Sequence, residues 1–275
     1  MLLLAATATR LVHTKVHTID DITQIARYIY KNVYKDVHQQ LRDGTFLHVY
    51  KLLYEKSASQ ILVCFDIDET LLYPNEPEAR DAWFGQQVTK LTKQGKSPAD
   101  AVKETIIEQL VAHRKTGVCQ ADWEQDELIA ALQHQGIHVL GLTARSINFV
   151  DITYRQLHQV LVDFNNQADE WDRCYILKNL PSPAHYTPGI IFTAGNDKGN
   201  TLEQFLLQLK YRPNYIMMVD DTRKHIEALE RMTARLGIKY DGFVINHTYH
   251  KRLPCVTLTD GVPHRQSGTI KSSSN

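Results

Sequence analysis

The chain has few cysteines and no cysteine framework. Four stand in 275 residues, at Cys64, Cys119, Cys174 and Cys255, and none forms a Cys-x-x-Cys pair. Zinc cages and disulfide scaffolds need tighter spacing or more thiols, so neither is expected, and a reducing, cytoplasmic compartment is favoured. Net charge is also lacking, since 31 Lys and Arg balance 31 Asp and Glu. A general attraction to nucleic acid or to an anionic membrane is excluded as the default partnership. No apolar run approaches the roughly 18–20 residues of a membrane span. The opening Met-Leu-Leu-Leu-Ala-Ala is apolar but lacks the basic segment and full apolar stretch of a leader. Export through a leader already removed is compatible with it. The 13 histidines are scattered, with no His-x-x-x-His pair inside a metal frame. Most are expected to be solvated or hydrogen-bonded, turning the protein positive below about pH 6.5.

What the chain does have is an apolar run, Ile61 to Phe65, that ends in two carboxylates, Asp66 and Asp68. Five apolar residues without alternation suit a strand buried on both faces of a parallel sheet. Such sheets bind ligands beyond the carboxyl ends of their strands. Side chains alternate along extended backbone, so Asp66 and Asp68 start on one side. Two like charges so close repel unless a cation lies between them or one keeps its proton. Oxygen-only ligands favour a hard cation such as Mg²⁺. A lone Asp-x-Asp is as readily a helix cap; the preceding strand and the rest of the chain argue against that here.

Further strands are expected at 137–142, 189–194, 215–219 and 242–245, with a short one at 174–178. Helices are expected near 20–43, 46–56, 78–94, 98–115, 123–135, 147–166, 201–210 and from Thr222 to Leu236. Ser97-Pro98 is a cap followed by Pro at the first helical position. This alternation implies right-handed crossovers and a doubly wound α/β fold with a parallel sheet. Residues 59–74 and 122–262 form the core of that reading. Residues 1–58 are an N-terminal helical extension, 75–121 a helical insertion, and 263–275 a flexible tail. Four polar clusters then meet at one sheet edge: Asp66/Asp68, Thr143/Arg145, Lys198 and Asp220/Asp221.

These groups suit phosphoryl transfer through a covalent aspartyl-phosphate. A carboxylate attacks phosphorus, and a second carboxyl protonates the departing oxygen and then activates water. A lysine and a hydroxyl hold the phosphoryl oxygens. In residue order the chain resembles a haloacid dehalogenase (HAD) superfamily phosphatase. Phe-Asp66-Ile-Asp68-Glu-Thr-Leu is similar to the first motif of that family, Gly-Leu-Thr143-Ala-Arg145 to the second, Lys198 to the third and Val-Asp220-Asp221-Thr to the fourth. The resemblance spans about residues 60–246.

It implies a HAD-type Rossmannoid core, Asp66 as nucleophile, Asp68 as acid and base, and Thr143 and Lys198 on the phosphoryl group. Asp66, the backbone carbonyl of Asp68, and Asp220 or Asp221 would hold Mg²⁺. Arg145 is expected either to contact phosphate or to support the Thr143 turn. Dehalogenase members lack the second Asp of the first motif, so Asp68 points to phosphate chemistry. The Asp pair of the fourth motif resembles the acid-phosphatase-like branch, and Phe-Thr-x-Gly-x-x-Lys-Gly is similar to a set of uncharacterised bacterial proteins. The 75–121 insertion resembles a cap that shapes specificity, with Trp83 and Phe84 packing it on the body. Small phosphate monoesters are the expected substrates, with a phosphopeptide second. A phosphotransferase or phosphomutase would share every motif; a module acting by contact alone would more readily have lost one.

Overall fold

The computed structural model describes residues 14–28, 59–121, 125–164, 170–246, 258–259 and 262–263. Five strands carry the core: β1 (Thr14–Ile19), β2 (Ile61–Phe65), β5 (His138–Thr143), β9 (Tyr215–Asp220) and β10 (Lys239–Ile245). Shorter strands are β3 (Leu72–Pro74), β4 (Val118–Gln120), β6 (Tyr175–Leu177), β7 (Ala184–Thr187) and β8 (Ile190–Phe192). Eight of them form one sheet in the order β1-β10-β9-β2-β5-β8-β7-β6. Every pair from β1 to β8 along that order is parallel, and β8-β7 and β7-β6 are antiparallel. The fold is therefore α/β with a largely parallel sheet.

Strand β2 shows why the chain folds this way. Ile61, Val63 and Phe65 face one apolar cluster, while Leu62 and Cys64 face the other, and all are buried. A strand covered on both faces has no polar side to alternate with. Helices α1 (Thr23–Tyr28), α4 (Gln125–His134) and α5 (Val150–Gln159) sit over the first face through Ile22, Ile25, Ile129, Leu132 and Leu157. Helices α6 (Lys198–Leu209) and α7 (Arg223–Leu236) cover the second through Leu202, Phe205, Leu229 and Met232.

Several boundaries depart from expectation. The segment assigned to a helical extension contains β1, which pairs in parallel with β10 at the sheet edge. Its Thr-Lys-Val-His-Thr-Ile reads as a weak strand because edge strands are only half buried. The rest of the expected 20–43 helix and all of 46–56 lie outside the described residues. Helix α5 stops at Gln159 because Leu161 takes a left-handed φ of 59° and the Val162 N–H returns to the Leu157 carbonyl. That is a Schellman-type ending, and without a glycine it leaves no mark in the sequence.

The insertion is helical as expected. Its helices α2 (Asp81–Lys93) and α3 (Pro98–Lys115) pack on each other, and Ser97 caps α3 by accepting from the Asp100 N–H at 3.1 Å. Pro77–Ala79 forms a 3₁₀ turn rather than the start of α2. Both ends of the insertion are gathered by the antiparallel β3–β4 ladder, which was not foreseen. Cys64 and Cys174 are free thiols, but Cys119 is disulfide-bonded. One bridge is not the disulfide framework that the cysteine spacing argued against, although it weakens the preference for a reducing compartment. Among the described residues no helix is long and apolar enough to cross a membrane.

Candidate active site at the carboxyl edge of the sheet

Strands β9, β2, β5 and β8 are consecutive neighbours, and all run the same way. Residues at or just beyond their carboxyl ends therefore converge: Asp220, Asp66, Thr143 and the β8–α6 loop before Lys198. Strand β2 lies at the switch point of the sheet, with β9 on one side and β5 on the other, where crevices open in such folds.

Asp66 is 6% exposed, and its N–H donates to the Val219 carbonyl. Lys198, 1% exposed, donates Nζ–H to Asp66 Oδ1 at 2.5 Å and to Asp220 Oδ2 at 2.8 Å. Thr70 closes the other side. Its hydroxyl donates to Asp66 Oδ2 and accepts from the Asp221 N–H, both at 3.1 Å. Asp220 Oδ1 accepts from the Thr222 N–H at 2.8 Å, and His225 Nδ1 lies 3.1 Å from both Asp220 oxygens. Lys198 opens α6, whose Asp197 cap accepts from the Asn200 N–H. The neighbouring glycine lets α6 approach α7: a Cβ on Gly199 would stand 2.3 Å from the Ala228 carbonyl oxygen.

The electrostatics follow from burial. Burial pushes the Asp66 carboxyl well up, Lys198 opposes this, and Asp220, Asp68 and Asp221 add to it. Burial would raise Asp220 too, but Lys198 and His225 outweigh it and hold that group down. Lys198 is disfavoured by burial yet held protonated by Asp220 and Asp66. Asp221 is pushed up to about 7, by burial first and then by Asp220. Three carboxyl groups share one ammonium, so the pocket turns net negative once Asp66 and Asp221 ionise, which a bound cation would favour. Asp66, Asp220 and Asp221 each present an oxygen within 4.8 Å of the others, a group able to hold a metal. An all-oxygen, anionic donor set fits a hard divalent cation.

Asp68 is elsewhere engaged. Its carboxylate pairs with Arg145, not with that group, so only its backbone carbonyl remains for the metal role expected of it. Arg145 contacts the Thr143 turn through its N–H, which donates to Thr143 Oγ1 at 3.1 Å, while its guanidinium goes to Asp68. Thr143 is fully buried, and its carbonyl accepts from the Thr193 N–H, tying the ends of β5 and β8 together. Residues 69 and 194, beside these strand ends, hold left-handed backbones, Glu69 at φ 55° and Ala194 at φ 52°. Strained backbone of this kind gathers at functional sites.

Thr70 stands in the first motif without a role that the motif assigns, and His225, His113, Thr153 and Gln156 lie outside all four motifs. Thr70 was reachable, four residues after Asp66 in the turn that must close on it. The others depend on packing between helices.

Solved structures share features of this architecture at low similarity. One titled "Putative Phosphatase" from Clostridium difficile matches 69% of this chain and 87% of its own, at 13% identity and TM-score 0.40. A haloacid dehalogenase-like family protein from Streptococcus pneumoniae matches 67% and 94%, at 10% identity and TM-score 0.37. Among sequences, a Chlamydia pneumoniae protein named "Putative outer membrane protein" is 26% identical over 192 residues, 70% of each chain. A Chlamydia trachomatis protein of the same name is 24% identical over 196 residues, 71% of this chain and 72% of its own. The family model described as "Protein of unknown function (DUF2608)" matches residues 30–259, most of the chain, and the protein belongs to that family.

Proposed function

We propose that the protein is a Mg²⁺-dependent phosphohydrolase acting on phosphate monoesters. The observation that carries this reading is the buried Lys198, bridging Asp66 and Asp220 with Asp68 two residues along the same strand end. An Asp66 oxygen attacks phosphorus, and the ester oxygen leaves with a proton from Asp68. Asp68 then takes a proton from water, whose oxygen attacks the aspartyl-phosphate and releases inorganic phosphate and the Asp66 carboxylate. Lys198 and Thr143 hold the phosphoryl oxygens. Bound at Asp66, Asp221 and the Asp68 carbonyl, Mg²⁺ would neutralise charge between nucleophile and phosphate. Asp220 is already engaged by Lys198, Thr222 and His225. It orients Lys198, and Asp221 is the freer metal ligand.

The insertion packs against the motif-bearing loops: the Asp81 N–H donates to Glu69 Oε1, and His113 reaches Arg145. A covered mouth favours small monoesters over folded phosphoproteins. The disulfide at Cys119 and the outer-membrane name of the chlamydial relatives favour an oxidising compartment over the cytoplasm. Hydrolysis of an aryl phosphate with Mg²⁺ and with excess chelator tests the function. Activity only with the cation is expected, and full activity in chelator refutes the scheme.

A further inference from the structure

The Arg145 guanidinium has an occupation that phosphate binding does not require. Nε donates to Asp68 Oδ2 at 2.8 Å and Nη2 to Asp68 Oδ1 at 2.7 Å, a two-pronged pair with side chains 5% and 16% exposed. Nη1 donates to Thr153 Oγ1 at 2.9 Å, and Nη2 also donates to Gln156 Oε1 at 2.8 Å. Most of the five N–H donors are therefore committed to protein acceptors. The Thr153 hydroxyl is fixed in turn by donating to the Phe149 carbonyl.

A second layer comes from the insertion. His113, in the last turn of α3, is 2% exposed. Its Nδ1 lies 3.3 Å from Arg145 Nη2 and 3.3 Å from Gln156 Nε2. Both Nη2 hydrogens already go to Asp68 and Gln156, so the Gln156 amide is the donor; Nδ1 accepts from it, the ring is neutral, and it lies against the guanidinium. The ring also hydrogen-bonds the backbone of Ala79, at the start of the insertion. Arg155 fastens the same place from α5, donating to the His113 and Arg114 carbonyls at 2.8 and 3.0 Å.

We infer that Arg145 is a positioning residue for Asp68, and that His113 extends this positioning role into the insertion. The inference rests on the phosphohydrolase reading. The fork of Arg145 occupies one lone pair on each Asp68 oxygen and fixes the carboxylate plane. A second lone pair on each oxygen stays available for the leaving group or for water. The insertion thus helps to hold the acid and base as well as to cover the site.

The test compares steady-state kinetics on an aryl phosphate with a good leaving group and on an alkyl phosphate, with inhibition by inorganic phosphate, all in Mg²⁺. Arg145→Lys keeps the charge and loses the fork. Its kcat/KM, which reports the step that expels the leaving group, should fall about 10²-fold on the alkyl ester and less than about fivefold on the aryl ester, with phosphate inhibition within about threefold of wild type. His113→Leu should show the same pattern at about tenfold, and His113→Asn, whose Oδ1 can replace Nδ1, should recover most of it. Equal losses on both esters with much weaker phosphate inhibition would make Arg145 a phosphate ligand and overturn the inference alone. A wild-type protein that hydrolyses neither ester and binds no phosphate would remove the functional reading and the inference with it. If Arg145→Lys does not fold, the His113 pair decides: loss without the leaving-group pattern, or no recovery with Asn, refutes the positioning role.

Discussion

Asp221→Asn should stabilise the metal-free protein while abolishing its response to Mg²⁺. Asp221 is pushed from the ordinary 3.8 up to about 7, by burial and then by Asp220. The folded state therefore holds this proton more tightly than the unfolded state does. Its stability contribution is complete below about pH 3.8 and is lost as pH rises through about 7. A fully buried group shifted this far would cost about 4 kcal/mol at pH 8. Asp221 is partly open to solvent, so about 1–2 kcal/mol is expected after screening. Asparagine cannot ionise, and its Oδ1 can still accept from the Thr222 hydroxyl, now 3.2 Å from Asp221 Oδ1. The variant's advantage should thus be absent near pH 4, grow to pH 7 and level off. For a chain of this size that is a rise in Tm of about 2–4 °C at pH 8. With Mg²⁺ at about a hundred times its Kd, wild type should gain about 2.7 kcal/mol at pH 8 and less at pH 5.5, where the ligand is protonated; the variant should gain little. Thermal unfolding at pH 4, 5.5 and 8, with and without Mg²⁺, measures all of this. A variant less stable than wild type at pH 8, or one that keeps the full Mg²⁺ response, would refute the assignment of Asp221.

Asp66→Asn should leave a folded protein with no more than a trace of turnover on any monoester, since the amide is a far poorer nucleophile; circular dichroism and a sensitive phosphate assay check both halves. Lys198→Ala should lose on the order of 10²-fold or more in kcat/KM, and it should unfold more easily at pH 8 by about 3–5 kcal/mol, because it strands two buried carboxylates. Denaturant titration and kinetics on one preparation read both effects. Gly199→Ala should cost about 1–3 kcal/mol and also reduce turnover, because α6 must retreat from the Ala228 carbonyl and carry Lys198 with it; crystallography or a melting curve that shows no change would contradict the close approach.

The legible parts of the fold were those with redundant signals. The run Ile61–Phe65 is buried on both faces, so burial alone marks it, and β5 and β9 read the same way. The short strands β3, β4 and β7 carry three or four residues each and too little pattern to be seen. The residues brought together at the sheet edge were legible because each follows a strand. The occupation of Arg145 was not. Its acceptors are separated from it by 77, 8 and 11 positions, and which of them it meets depends on how α5 and α3 cross. Asp220 and Asp221 are alike in sequence and differ only in their surroundings, so their division of labour had no sequence mark.

Asn75 and Gly117 are joined by a backbone hydrogen bond, the Asn75 N–H to the Gly117 carbonyl at 3.1 Å. More than forty residues thus leave the body and return through one neck at the end of the β3–β4 ladder. Such a junction lets the covering layer be lengthened, shortened or exchanged over generations without refolding the strands beneath. His113 lies inside that exchangeable stretch, four residues before the return. Any replacement of the cover therefore also replaces one support of the Asp68–Arg145 pair, so under the proposed function a change of selectivity would also touch proton transfer.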